Sequence, residues 1–97
     1  MTDRKIRFSE SFFEQLEELL PSERGTDGTP SITDFLVMEV PGLRDGLAGD
    51  AIRLTQPTGL EGVRMYINAG TLVPGIVMYM LIDEHSVEVF AVSFDIG

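Results

Sequence analysis

Two apolar runs, residues 76–82 and 87–94, meet across the polar stretch Asp83-Glu84-His85-Ser86, and this hairpin constrains the chain more than any other feature. Val, Ile, Tyr and Phe dominate both runs, the side chains that suit a pleated, half-buried surface, and a four-residue polar break is of hairpin length. A lone hairpin is marginal in water, so the rest of the chain must supply more strands and a layer to cover one face. With 97 residues, 43% of them hydrophobic, the chain is sized for one domain spanning 1–97, a single helix layer on a single sheet.

Upstream, Lys5-Ile6-Arg7-Phe8 alternates polar and apolar and is expected to be a short strand. Ser11 with Glu14 fits a capping box, with Ser9 as the competing cap. Phe12, Phe13, Leu16, Leu19 and Leu20 then form one apolar helical stripe, opposed by Glu14, Glu17 and Glu18, and Pro21 ends it. Arg24-Gly25-Thr26-Asp27-Gly28 reads as a loop and lacks the Gly-Lys-Ser/Thr of a phosphate cradle.

A second helix starts with Thr29 capping and Pro30 at its first position, or with Ser31 capping and Asp34 completing the box. Ile32, Phe35, Leu36, Val40, Leu43 and Leu47 hold a helical period through Pro41, which should kink the helix into a piece to about Glu39 and another from about Pro41 to Ala48. A buried strand over residues 35–38 is the competing reading. Residues 51–55 alternate and are expected to be a strand, with a turn at 56–59, a strand at 63–67 and a loop at 68–75 before the hairpin. The fold class is therefore α+β: an N-terminal strand, a helical hairpin with its second helix kinked at Pro41, and a largely antiparallel C-terminal sheet of four strands.

The net charge is -9 and the sequence pI about 4.3. Phosphate binding draws on cations, and this chain has one lysine, Lys5, and six arginines, none after Arg64. The composition thus disfavours nucleic-acid binding and fits either plain solubility or a basic partner surface. There is no cysteine for a disulfide or thiolate site, and no run of 18 apolar residues, so a soluble cytoplasmic protein without a membrane segment is expected.

Chemistry-bearing residues are few. His85 is the only histidine and falls in the hairpin turn; Glu17-Glu18 and Asp83-Glu84 lack metal-ligand spacing, and no nucleophile has a base beside it. Neither a metal site nor a cofactor is expected. Arg64 and Tyr66 share one face of their strand, with Val63, Met65 and Ile67 on the other, and an aromatic beside a cation is a composition enriched in protein-binding surfaces. Tyr79, in an apolar strand, is expected in the core. Val37 and Met38 lie off the main stripe of the second helix and join Arg64 and Tyr66 as candidate partner contacts.

In element order the chain resembles the RelE/ParE toxin superfamily of bacterial toxin–antitoxin systems. The resemblance in residues is concentrated from Gly62 to Asp95: Gly62-Val63-Arg64-Met65-Tyr66-Ile67 is similar to the family's Gly-aromatic-Arg strand, Ile76-Val77-Met78-Tyr79 to its Arg-hydrophobic-hydrophobic-Tyr strand, and residues 89–95 to its last strand, which often ends Val-x-His-Arg. It implies a toxin-like protein with a cognate antitoxin. In the mRNA-cleaving branch, cations on the sheet act on the scissile phosphate. Here Ile76 stands at the family's strand arginine and Phe94-Asp95 at its His-Arg, which leaves Arg53 and Arg64 as the expected sheet cations. The resemblance therefore implies action by protein–protein binding. A ribosome-dependent mRNA endoribonuclease using Arg53, Arg64 and Tyr79 is the alternative, and an acidic, non-toxic adaptor or polyanion mimic a further one.

Overall fold

Lys5–Phe8 forms β1, which runs parallel to the start of the last strand, with Lys5 opposite Ser86 and Phe8 opposite Val89. The computed structural model describes residues 3–69 and 75–94. After β1 come α1 (Glu10–Leu19), a short α2 (Ile32–Asp34), a π-helical turn (Phe35–Glu39), α3 (Val40–Leu54), β2 (Gln56–Pro57), β3 (Val63–Asn68), β4 (Ile76–Ile82) and β5 (Ser86–Phe94). The sheet order is β1-β5-β4-β3-β2, antiparallel everywhere except between β1 and β5. No described helix is long and apolar enough to cross a membrane.

The helices cover one face. Ile6, Tyr66, Ile76, Met78, Met80, Val87, Val89 and Val92 from the strands meet Phe12, Leu16 and Leu20 from the first helical segment and Phe35, Leu47 and Ala51 from the second, all buried. The rings of Phe8 and Phe12 lie 4.9 Å apart and those of Phe35 and Phe94 5.4 Å apart, so aromatic contacts tie the start and end of the chain to the helices.

Ser9, the competing cap, starts α1, accepting from the Phe12 amide at 3.4 Å. The Ser11–Glu14 box does not form because Ser11 is used elsewhere. β1 stops opposite Val89, and at the next residue, Phe90, a β-bulge breaks the β4–β5 register. From there, among the described residues, no strand lies beside that edge of β5. Ser11 Oγ donates to the Phe90 carbonyl at 2.8 Å, and the Gln15 amide clamps the same stretch, accepting from the Val92 N–H at 3.0 Å. A helix side chain thus satisfies backbone groups that a neighbouring strand would otherwise hold.

Of the two expected starts, Thr29 and Ser31, the second helical segment takes Ser31: its Oγ accepts from the Asp34 amide and the Asp34 carboxylate from the Ser31 amide. Arg24 grips the same carboxylate in a bidentate pair at 2.9 and 3.0 Å. Pro41 lacks an N–H and its ring crowds the carbonyl one turn back, and the strain is relieved upstream by the π-helical turn, where the Val40 N–H reaches Phe35 O. Helix, not strand, therefore occupies residues 35–38.

One element differs. Residues 51–55, expected as a strand, continue α3 to Leu54, past a distorted Asp50 (φ -135°, ψ 35°). Leu47 and Ala51, one turn apart, are both fully buried, so core packing carries the helix through Gly49-Asp50. The second strand shifts to Gln56–Pro57, within the expected turn, and pairs with Arg64 and Met65. The expected loop at 68–75 falls largely on residues 70–74, outside the described residues.

Two outcomes are expected. Gln15→Ala, by stripping the Val92 N–H of its acceptor, should lower unfolding free energy by about 1–2 kcal/mol in denaturant titration. A loss under about 0.5 kcal/mol would mean that water replaces the clamp. Arg24 first, then the Ser31 amide, hold the Asp34 carboxyl below the usual carboxylate range. A lowered folded-state pKa gives stability that is present above the unfolded value and lost as pH falls through the acid range. Asp34→Asn should therefore flatten the fall in stability below about pH 4 relative to the parent chain.

Candidate functional surfaces

The sheet has an open face opposite the helices. Cross-strand register places Val63, Leu81 and Glu88 in one row there, Met65, Tyr79 and Ala91 in the next, and Ile67, Val77 and Ser93 in a third. Ile67, Leu81 and Tyr79 are exposed. Among the described residues this face of β3, β4 and β5 carries no lysine, arginine or histidine. Its cations lie at one margin, on β1, where Lys5 and Arg7 face outward and Arg7 pairs with Glu88 at 2.7 Å.

The two cations expected on the sheet are placed otherwise. Arg64 points to the helix side: its Nε donates to Thr55 Oγ1 at 2.7 Å and its Nη2 to the carbonyls of Thr55 at 2.9 Å and Ile52 at 3.2 Å. Thr55 Oγ1 in turn donates to the Ala51 carbonyl at 2.7 Å. These are carbonyls at the end of α3, so Arg64 is a C-terminal cap of favourable charge rather than a free guanidinium. Arg53 sits in the last turn of α3, off the sheet, exposed and paired with Asp50 at 3.1 Å. It lines a shallow depression of about 220 Å³ with Gln56, Met65 and Ile67 at the rim of the open face. Arg53 and Tyr79 thus share a side, with Met65 between them in the register, while Arg64 lies across the sheet.

The tyrosines exchange their expected settings. Tyr66, 7% exposed, is core on the helix side and offers no contact surface; Tyr79, 36% exposed, stands on the open face opposite Met65. The alternation read from residues 63–67 is real, and the core takes the Arg64/Tyr66 face because Met78 and Met80, their cross-strand neighbours, point to the helices. Ile76, expected from the resemblance to stand at a strand arginine, is 1% exposed, and Phe94 packs on Phe35. Asp95 lies outside the described residues.

Val37 and Met38 do project into solvent, 66% and 58% exposed, from the π-helical turn. His85 and Glu84 are exposed in the hairpin turn, 3.9 Å apart. Asp83 closes that turn: its Oδ1 accepts from the amides of His85 and Ser86 at 2.8 and 2.7 Å, which hold its carboxyl below the ordinary range. Among the described residues no group of three or more acidic, histidine or cysteine side chains is placed to hold a metal.

A chain of the toxin–antitoxin complex RelBE2 from Mycobacterium tuberculosis superposes with a TM-score of 0.69 at 19% identity, covering 100% of this chain and 97% of that one. The fold is RelE-like. At that identity the likeness concerns architecture alone. No family model matches the chain, and no curated protein matches it at a significant level.

Within this RelE-like fold, the cap and the rim arginine should behave differently on substitution. Arg64→Met is expected to cost about 1–3 kcal/mol in stability by releasing the end of α3. Arg53→Met should stay within about 0.5 kcal/mol of the parent. Thermal and denaturant unfolding of the two variants checks this.

Proposed function

We propose that this RelE-like chain is the toxin-like component of a toxin–antitoxin pair and acts by binding protein rather than by cutting RNA. The carrying observation is the apolar open face of β3, β4 and β5, with Val63, Met65, Ile67 and Leu81 around Tyr79 and no cation among the described residues. Phosphoryl chemistry needs positive charge where negative charge develops, whereas a hydrocarbon face around one amphipathic ring suits burial against another protein. The net charge of -9 works in the same direction, since it repels a polyanion at long range. A cognate antitoxin is the natural partner in such a pair, a role consistent with a cytoplasmic location.

The endoribonuclease reading draws on Arg53 and Tyr79, which share the open side of the sheet. One experiment divides the readings. Induced expression in a bacterial host, with growth followed and cellular mRNA mapped by primer extension, should give growth arrest without new mRNA ends. Codon-specific cleavage lost in Tyr79→Phe and Arg53→Ala would establish the nuclease instead, and unimpaired growth would point to the non-toxic adaptor.

A further inference from the structure

A recess on the helix side sets hydrocarbon beside a cation that the fold leaves unused. Between α1 and α3, both of which pack on β5, lies a groove of about 550 Å³ walled by Phe8, Phe13, Leu36, Val40 and Pro41. Its base is preformed: Phe8, Leu36 and Val40 pack on the buried core, and the Phe8 ring lies 4.9 Å from that of buried Phe12. A concave apolar site of this size, with few polar groups to orient a guest, suits a small amphiphile.

Arg44 and Asp45 complete the lining. The other five arginines are committed to structure: Arg4, Arg7, Arg24, Arg53 and Arg64 each donate a guanidinium N–H to an oxygen of the fold. Arg44 is the exception. Among the described residues it makes neither a hydrogen bond nor an ion pair, and its guanidinium stands 6.0 Å from the centroid of the Phe8 ring. A ring contact holds the cation at the groove without consuming an N–H, so its donors can receive a carboxylate in the two-pronged geometry. Asp45 follows at the next position of α3, about 100° further round the helix, and does not face Arg44. Its carboxylate disfavours a second negative group on the guest.

We infer that this groove binds an unesterified monocarboxylate of medium chain length, its tail along Phe8, Phe13 and Val40 and its carboxylate on Arg44. The chain's net charge of -9 acts weakly on one small anion, because salt screens charges beyond about 8 Å. A bilayer of anionic phospholipid meets the whole of that charge and is disfavoured as the source of the acyl chain. The inference draws on the groove alone and does not rest on the toxin reading.

The test titrates the isotope-labelled full-length chain with hexanoate, octanoate and decanoate below their micelle concentrations, and with octanol and octylammonium as neutral and cationic controls. Octanoate should shift the amide resonances of Phe8, Phe13, Leu36, Val40 and Arg44. Affinity should rise about two- to fourfold with each added methylene. Octanol should bind about tenfold more weakly than octanoate, and octylammonium no better than octanol. Arg44→Gln should lower octanoate affinity about tenfold, to the level of octanol, and Asp45→Asn should raise it about two- to threefold. Both residues are exposed, and the melting temperatures of the variants verify their fold. Octanol matching octanoate, an octanoate affinity indifferent to Arg44→Gln, shifts confined to the open sheet face, or the same shifts from phosphatidylglycerol vesicles would overturn the inference.

Discussion

The parallel pairing of β1 with β5 is the contact on which the rest of this molecule depends. It joins residues about eighty positions apart, Lys5 to Ser86 and Phe8 to Val89, so both helical segments must lie between the two ends of one ladder. Closing so long a loop is entropically costly, and its reward is the burial of Ile6, Phe12, Leu16, Val87 and Val89 in one cluster. Arg4 reinforces the junction from both sides, its amide donating to Ala48 O in α3 and its Nε to the Asp83 carbonyl in the hairpin turn.

From that pairing follow two sheet faces of different character. The helix side holds the core, and its polar groups are spoken for: Arg64 and Thr55 finish α3, and Gln15 and Ser11 serve the bulge at Phe90. Among the described residues no buried side-chain polar atom lacks a partner. The other side keeps Ile67, Tyr79 and Leu81 exposed and Val63 and Met65 half-buried, all outside the core cluster. That exposed apolar patch is the feature on which the proposed protein partner rests.

The chain's cations go chiefly to structure. Arg24 holds Asp34 and the cap of α2, Arg64 holds the end of α3, Arg4 the hairpin turn, and Arg7 pairs across the β1–β5 ladder with Glu88. Beyond Lys5 and Arg44, the exposed charge outside these pairs is chiefly negative, with four glutamates on α1. Charge distribution therefore distinguishes one surface from another in this RelE-like domain.

Local patterns in the sequence determined most of the elements. The hairpin with its Asp83 turn, the Ser31–Asp34 capping box, the disruption ahead of Pro41 and the α+β order of strand, helices and sheet each follow from neighbouring residues, because caps, turns and alternation are short-range effects. Absence of cations after Arg64 was legible in the same way. Three matters were decided only by tertiary structure. Residues 51–55 alternate like a strand yet stay helical, since Ala51 reaches the core one turn after Leu47 and Arg64 is present to cap the end. Ser11 gave up its local box for a carbonyl on β5, and Ser9 took over the cap. Above all, alternation along residues 63–67 defined two faces without saying which was inner. That choice fell to the register with Met78 and Met80, which buried Tyr66, turned Arg64 into a helix cap and left Tyr79 outside.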